Sequence, residues 1–109
     1  MPTSAAEGTQ TCVISTEHTL TTQTTAGTYV LSINLNPLAA GDVIEIRAYV
    51  KVRSTSTERV YIYDVWADAQ PTDDQVKMTI PIPTLHSCKF TLKQTAGTGR
   101  SIEWNAISL

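Results

Sequence analysis

The sequence predicts an all-β domain: an antiparallel two-sheet sandwich of jelly-roll or Greek-key type, with seven to eight strands. Three observations predict this fold. Apolar and polar residues alternate in several short segments, as they do along a half-buried strand. Turn residues separate these segments at short intervals. Threonine, a β-branched residue suited to strands, occurs eighteen times in 109 residues. A chain of this length forms one domain.

The N-terminal part of the chain lacks periodicity at first. Residues 1–10 are small and polar, so we expect a flexible arm there, followed by a single sandwich domain at residues 11–109. Cys12 to Ile14 is predicted to form a first short strand, and Glu17 to Gln23 another. A clear strand follows from Tyr29 to Leu35, with Tyr29, Leu31, Ile33 and Leu35 on one face and Val30, Ser32 and Asn34 on the other.

A long hairpin is predicted in the middle of the chain. Its first strand, Val43 to Arg53, alternates strictly, and Ile44, Ile46, Ala48, Val50 and Val52 share one face. A polar break follows at Ser54 to Thr57. The returning segment, Glu58 to Asp68, has apolar residues on both faces, which predicts a central strand covered on both sides.

The last third of the chain is predicted to hold three more strands. In Gln75 to Ile80, we expect Val76, Met78 and Ile80 to point inward. Pro81 and Pro83 indicate an edge or a crossing between sheets. The final two strands are predicted at Leu85 to Gln94 and Ser101 to Leu109. On the first, His86, Cys88, Phe90 and Leu92 share one face, and on the second, Ile102, Trp104 and Ala106 do.

Charge and composition argue against several classes of partner. The net charge of −2 comes from ten acidic and eight basic residues without a run of either sign, so no nucleic-acid partner is expected. No stretch has the length of a membrane helix, and the first residues lack the basic end and apolar centre of a signal peptide. We therefore expect no membrane partner and a protein that is made and kept in a cytoplasm.

The sequence contains no recognisable catalytic motif. Nucleophile-elbow, phosphate-loop and HExxH patterns are missing, so no enzyme and no cofactor are predicted. His86 and Cys88 have a spacing that zinc can use, but no further ligands accompany them, and we expect no metal site. Cys12 and Cys88 are expected to be reduced thiols, Cys88 buried in the core, and a bridge between them stays open as the alternative.

The hairpin also carries the candidate contact residues. Tyrosine and arginine exposed together are typical of interface hot spots. We therefore predict a protein-contact strip at Arg47, Tyr49, Lys51 and Arg53.

An alternative candidate is a glycan platform on the second hairpin strand, at Asp64, Trp66 and Asp68, because carboxylates beside an aromatic ring can bind or cleave sugars. We favour the simpler interpretation of this triplet. It is a solvated strand edge with the tryptophan packed on a neighbour.

Three segments resemble a family of small proteins encoded among the virion genes of tailed bacteriophages. They are Gly41 to Val52 (GDVIEIRAYVKV), Pro81 to Leu85 (PIPTL) and Leu92 to Leu109, which begins LKQTAGTGR and continues with an aromatic residue near a short apolar tail. The similarity covers most of the chain after Thr19. The ending is a fairly specific family marker that carries no chemistry.

The resemblance implies a structural virion protein. A compact β-sandwich of this size looks like a capsid decoration or cement protein that binds the outside of the head and stabilises it by bridging shell subunits. The implied partner is the major capsid protein, and the implied location is the virion. The alternative is a tail, baseplate or fibre module that contacts other tail proteins or host-surface glycan. Self-association as a homotrimer is expected only because threefold sites are common in shells and fibres.

Overall fold

The fold is a sandwich of two antiparallel sheets, which a computed structural model describes for residues 1–109. Nine strands make up the two sheets: β1 (Thr3–Thr11), β2 (Glu17–Gln23), β3 (Gly27–Asn34), β4 (Val43–Val50), β5 (Arg59–Ala67), β6 (Val76–Met78), β7 (Ile82–Thr84), β8 (Cys88–Ala96) and β9 (Ser101–Ser108). The predicted all-β sandwich is confirmed.

The strand order is that of a jelly roll. One sheet has the order β1-β9-β3-β6, with β7 also paired to β3, and the other has the order β2-β8-β4-β5. β6 and β7 pair with successive parts of β3, so they act as one strand interrupted near Pro81. Proline has no N–H to donate to a neighbouring strand, which explains the interruption. With β6 and β7 counted together, the eight strands form two four-stranded sheets linked as in jelly rolls.

The core lies between the sheets and follows the predicted alternation. Leu31, Ile33 and Leu35 face the core from β3 and the residues after it. The opposite sheet contributes Ile44, Ile46, Ala48, Cys88, Phe90 and Leu92, all buried. Alternate residues of a strand point to opposite faces, so the core residues of each strand lie two positions apart.

The N-terminal segment differs from the prediction. Residues Thr3–Thr11 form strand β1, paired with β9 from Thr3 opposite Ser108 to Thr11 opposite Ser101, and they are not a flexible arm. The predicted strand at Cys12 to Ile14 is wrong, because β1 ends at Thr11 and a loop follows. β1 is an edge strand of small residues held by backbone hydrogen bonds, and such a strand has little apolar periodicity to detect.

The second strand of the hairpin is also placed differently from the prediction. β5 is the last strand of its sheet and pairs with β4 alone, so it is an edge strand and not a central one. Its outer face is not covered: Tyr61, Tyr63 and Val65 are each about half exposed. The apolar residues on both faces of this segment therefore indicate an exposed apolar surface.

The predicted orientation of β6 is reversed. Val76, Met78 and Ile80 are exposed, whereas Thr79 is buried. Thr79 fixes this register, because its backbone N–H donates to the carbonyl of Leu31 (2.9 Å) and its Oγ1 accepts from the N–H of Leu31 (3.0 Å). Two hydrogen bonds to one buried residue outweigh the preference of the apolar side chains for the interior.

Candidate protein-contact surface

The residues that carry the family resemblance form a buried polar cluster. Asp42 is almost completely buried, and its carboxylate accepts hydrogen bonds from the N–H of Ala39 (2.9 Å), the N–H of Thr98 (3.0 Å) and Nε of Arg100 (2.7 Å). Burial raises the pKa of Asp42, but these three hydrogen bonds and the charge of Arg100 outweigh it and hold the pKa below its usual range.

Gln94 and Gly97 complete this cluster. The buried Gln94 donates from Nε2 to the carbonyls of Ala96 (3.0 Å) and Thr98 (2.7 Å) and accepts from the N–H of Arg100 (3.0 Å). Gly97 has a φ of 90°, and a Cβ there would lie 1.9 Å from Oδ1 of Asp42. The GD and QTAGTGR motifs therefore meet in space and stabilise the fold.

The predicted contact strip divides into two parts. Arg47 and Tyr49 lie on the outer face of β4, but β4 ends at Val50, so Lys51 and Arg53 belong to the loop that leads to β5. The four residues do not form one continuous row.

Tyr49 is held by hydrogen bonds within the molecule. Its hydroxyl donates to Oε2 of Glu17 on β2 (2.6 Å), which also accepts from Oγ1 of Thr91 (2.6 Å). Nζ of Lys89 lies 4.4 Å from the centre of the Tyr49 ring and 2.6 Å from Oε1 of Glu58. The hydrogen bond to Glu17 is the main cause of the raised pKa of Tyr49. Tyr49 therefore connects the strands of this sheet.

Arg47 is similarly engaged, and it supports an exposed aromatic side chain. Its guanidinium lies 3.0 Å from Oε1 of Glu45 and 4.7 Å from the centre of the Tyr63 ring. The hydroxyl of Tyr63 donates to the other carboxylate oxygen of Glu45 (2.9 Å). An arginine stacked on a tyrosine orients the ring. Tyr63 is 51% exposed, so this ring is more accessible to a partner than Tyr49.

The glycan triplet is not assembled as an exposed platform. Trp66 is partly buried and packs against the core. Asp68 has a φ of 64°, and its Oδ1 accepts from the N–H of Gly41 (2.8 Å), so it stabilises the turn before β4. Asp64 lies opposite Ile46 in the pairing of β5 with β4.

The most distinctive surface is an apolar edge, formed by the exposed apolar side chains of β5 and of the segment from β6 to β8. Eight of the thirteen large hydrophobic residues that are exposed belong to it: Val60, Tyr61, Tyr63, Val65, Val76, Met78, Ile80 and Leu85. Such side chains are normally scattered singly over a soluble protein, and a concentration of them indicates an interaction surface.

The strand order and the registers show where these residues lie. β5 and β6–β7 are the last strands of their two sheets. Tyr63 and Val65 lie opposite Arg47 and Glu45, so they face outward from the four-stranded sheet, whereas Met78 and Val76 lie opposite Ser32 and Asn34 and face outward from the five-stranded sheet. β5 has a bulge opposite Ala48 and Tyr49, and β6 and β7 have three residues each. Bulges and short edge strands discourage strand addition, so the side chains are the groups offered to a partner.

Three further features of the structure concern metal ligands, thiols and helices. The structure contains no group of three or more His, Cys, Asp or Glu side chains that could hold a metal ion. Cys12 and Cys88 are both buried free thiols, and burial raises the pKa of each to about 11. The structure contains no helix that is long and apolar enough to cross a membrane.

Comparison with protein-family models, curated proteins and solved structures finds no match for this chain. The resemblance to tailed-phage virion proteins therefore stays a prediction. The prediction from the sequence missed the apolar edge, although the apolar residues on both faces of β5 indicated it.

Proposed function

We propose that this chain is a structural virion protein of a tailed bacteriophage, and specifically a capsid decoration or cement protein. In this proposal the protein binds the outside of the head and stabilises it by bridging shell subunits. The observation that carries the proposal is the apolar edge: the last strands of the two sheets and the residues that follow them carry most of the large exposed hydrophobic residues.

The composition of this edge suits a protein partner. Tyr61 and Tyr63 supply large, rigid side chains, and Arg47 stacks beneath Tyr63. Tyrosine and arginine are over-represented at interface hot spots, and charged residues are depleted at interface centres. Glu45 and Arg47 lie beside the aromatic residues as a polar rim.

The apolar edge also suits the bridging role. Its residues come from the last strand of each sheet, so exposed side chains face outward from both layers of the sandwich. A single copy could therefore contact two neighbouring shell subunits at once. Jelly rolls recur in viral capsid proteins and also in lectins, so the fold supports the proposal only by analogy.

Binding to purified heads that lack this protein tests the proposal. We expect saturable binding to the heads, and at least about tenfold weaker binding when Tyr61→Ser and Met78→Ser are combined, because both sheets then lose an apolar contact. The control variant combines Val13→Ser with Leu109→Ser. These residues are exposed to a similar extent, 59% and 53% against 54% and 58%, but lie outside the apolar edge.

Three results would contradict the proposal. They are the absence of binding by the unaltered protein, binding to tails in place of heads, and equal binding by the edge variant and the control variant. Circular dichroism of each variant confirms that it is folded before binding is compared.

A further inference from the structure

A shallow groove of about 370 Å³ crosses the outer face of the five-stranded sheet, on strands β1, β9, β3 and β6. Its lining is mostly polar and includes Glu7, Ser32, Asn34, Glu103 and Asn105. We propose that this groove binds the basic loop that joins β4 to β5 in a second copy of the chain. The inference goes beyond the proposed function, since it concerns the protein alone.

The groove carries negative charge that nothing nearby neutralises. Glu7 and Glu103 are exposed and take part in no ion pair. Glu103 accepts one hydrogen bond, from Nδ2 of Asn34 (3.1 Å), which orients its carboxylate. Lys77 is the only basic residue of this sheet, and it is paired with Asp74 (2.9 Å). A cationic group is therefore the complementary occupant.

The loop of residues 51–58 and the first residue of β5 carry the matching charge. Four of the eight basic residues, Arg47, Lys77, Lys89 and Arg100, are in ion pairs. Of the four that remain, Lys51, Arg53 and Arg59 belong to this segment. Its one acidic residue, Glu58, is already paired with Lys89. Val52 in the same loop is 82% exposed, so the loop protrudes from the sandwich.

A molecule cannot fill its own groove with this loop. The groove includes Asn34, the last residue of β3, and therefore lies towards the end of the sandwich where β4 begins at Val43. The loop follows Val50, at the other end of β4, about 25 Å away along an eight-residue strand. The groove is on the five-stranded sheet, whereas the loop extends from the four-stranded sheet. A loop of this sequence that fills the groove must therefore come from another copy.

The contact joins two different surfaces, so it is head-to-tail. Such contacts close into a ring when the rotation between copies permits and otherwise extend into an open stack. The homotrimer expected from the sequence would be one closed form. The molecule measures 41 × 30 × 19 Å, and its broad faces are large enough for the roughly 800 Å² per partner that a standard interface buries.

Sedimentation velocity of the purified protein over a range of concentrations tests the inference. At low salt the mean mass should rise with concentration, and added salt should reduce it because the attraction is between exposed charges. Glu7→Gln combined with Glu103→Gln should weaken self-association at least about tenfold. Asp73→Asn removes an exposed charge outside the groove lining and should leave self-association unchanged.

A charge exchange identifies the pairing itself. One variant carries Glu7→Arg and Glu103→Arg, and the other carries Lys51→Glu, Arg53→Glu and Arg59→Glu. Each should be monomeric alone, because its groove and its loop then have the same sign of charge. An equimolar mixture should associate, because each groove again meets a loop of opposite charge.

The inference is overturned if the unaltered protein stays monomeric at low salt at every concentration measured. It is also overturned by self-association that survives both the groove and the loop substitutions, which would indicate another interface. Since the assay contains no phage heads, its outcome is independent of head binding.

Discussion

The carboxylate of Asp42 lies 2.7 Å from Nε of Arg100 and joins the two sheets at one end of the sandwich. Asp42 directly precedes β4 in the four-stranded sheet, and Arg100 directly precedes β9 in the five-stranded sheet. The same carboxylate accepts two backbone hydrogen bonds. A buried carboxylate is stable only when it is paired in this way, so the geometry of this end depends on it.

Gly97→Ala should destabilise the protein more than Gly41→Ala. Both glycines have a φ of 90°, but a Cβ at Gly97 would overlap Oδ1 of Asp42, whereas a Cβ at Gly41 would meet no atom within 4 Å. We expect Gly41→Ala to lower the free energy of unfolding by about 1 kcal/mol, from backbone strain alone. Gly97→Ala should cost about 3 kcal/mol or more. Urea unfolding measures both, and equal losses would contradict the described cluster.

The stability contributed by Asp42 should disappear in acid. Its pKa is lower in the folded chain than its usual value of 3.8, so its ionised form favours folding above about that pH. The contribution is lost as the pH falls through the lower, folded pKa. Asp42→Asn should therefore be less stable than the original protein at about pH 6, and the difference should shrink below about pH 4. Unfolding curves across this range measure it, and a difference independent of pH would contradict the account.

Deletion of residues 1–11 should lower the melting temperature markedly. β1 pairs with β9 along its length, and its removal would expose the edge of β9 and the side of the core near Trp104. We expect a loss of more than about 2 kcal/mol in the free energy of unfolding. Deletion of Met1 and Pro2 alone, which precede β1, is the control and should have little effect. An unchanged melting temperature in the longer deletion would mean that this segment behaves as a flexible arm.

Thr79→Val should lower the stability of the protein more than Met78→Ser does, although it introduces an apolar residue and Met78→Ser removes one. Valine cannot accept the hydrogen bond from the buried N–H of Leu31, which should cost about 1–3 kcal/mol. Met78 is 58% exposed, and its substitution should change stability by no more than about 0.5 kcal/mol. Thermal unfolding of the two variants distinguishes the register with Thr79 buried from the register with Met78 buried. The opposite ranking would favour the inward orientation of Val76, Met78 and Ile80 that the sequence predicts.

The central part of the fold was predictable because side-chain alternation alone determines it. In β3, Leu31 and Ile33 are separated by the half-buried Ser32, and in β4, Ile44 and Ile46 are separated by Glu45. A one-residue shift would bury the polar residues, so only one orientation is compatible with the core. The same alternation grouped Cys88, Phe90 and Leu92 of β8, and Ile102 and Ala106 of β9, which all lie in the core.

The edges could not be predicted from alternation, because edge strands are stabilised mainly by backbone pairing. β1 has small polar side chains and is held by β9. In β6, hydrogen bonds between Thr79 and Leu31 decide the register against the apolar pattern. β5 has apolar residues on both faces, which is compatible with a central strand or with an exposed contact surface. The candidate site lies at these edges, which explains why the predicted contact strip included Arg47 and missed Tyr63.

The copy number of this protein in purified virions, measured by quantitative mass spectrometry against the major shell subunit, tests the proposed function most directly. A decoration protein occupies a site that repeats over the whole head, so we expect an amount in a simple, near-stoichiometric ratio to the shell subunit. A few copies per particle would instead indicate a tail or baseplate component. Absence from the particle would contradict any structural role in the virion.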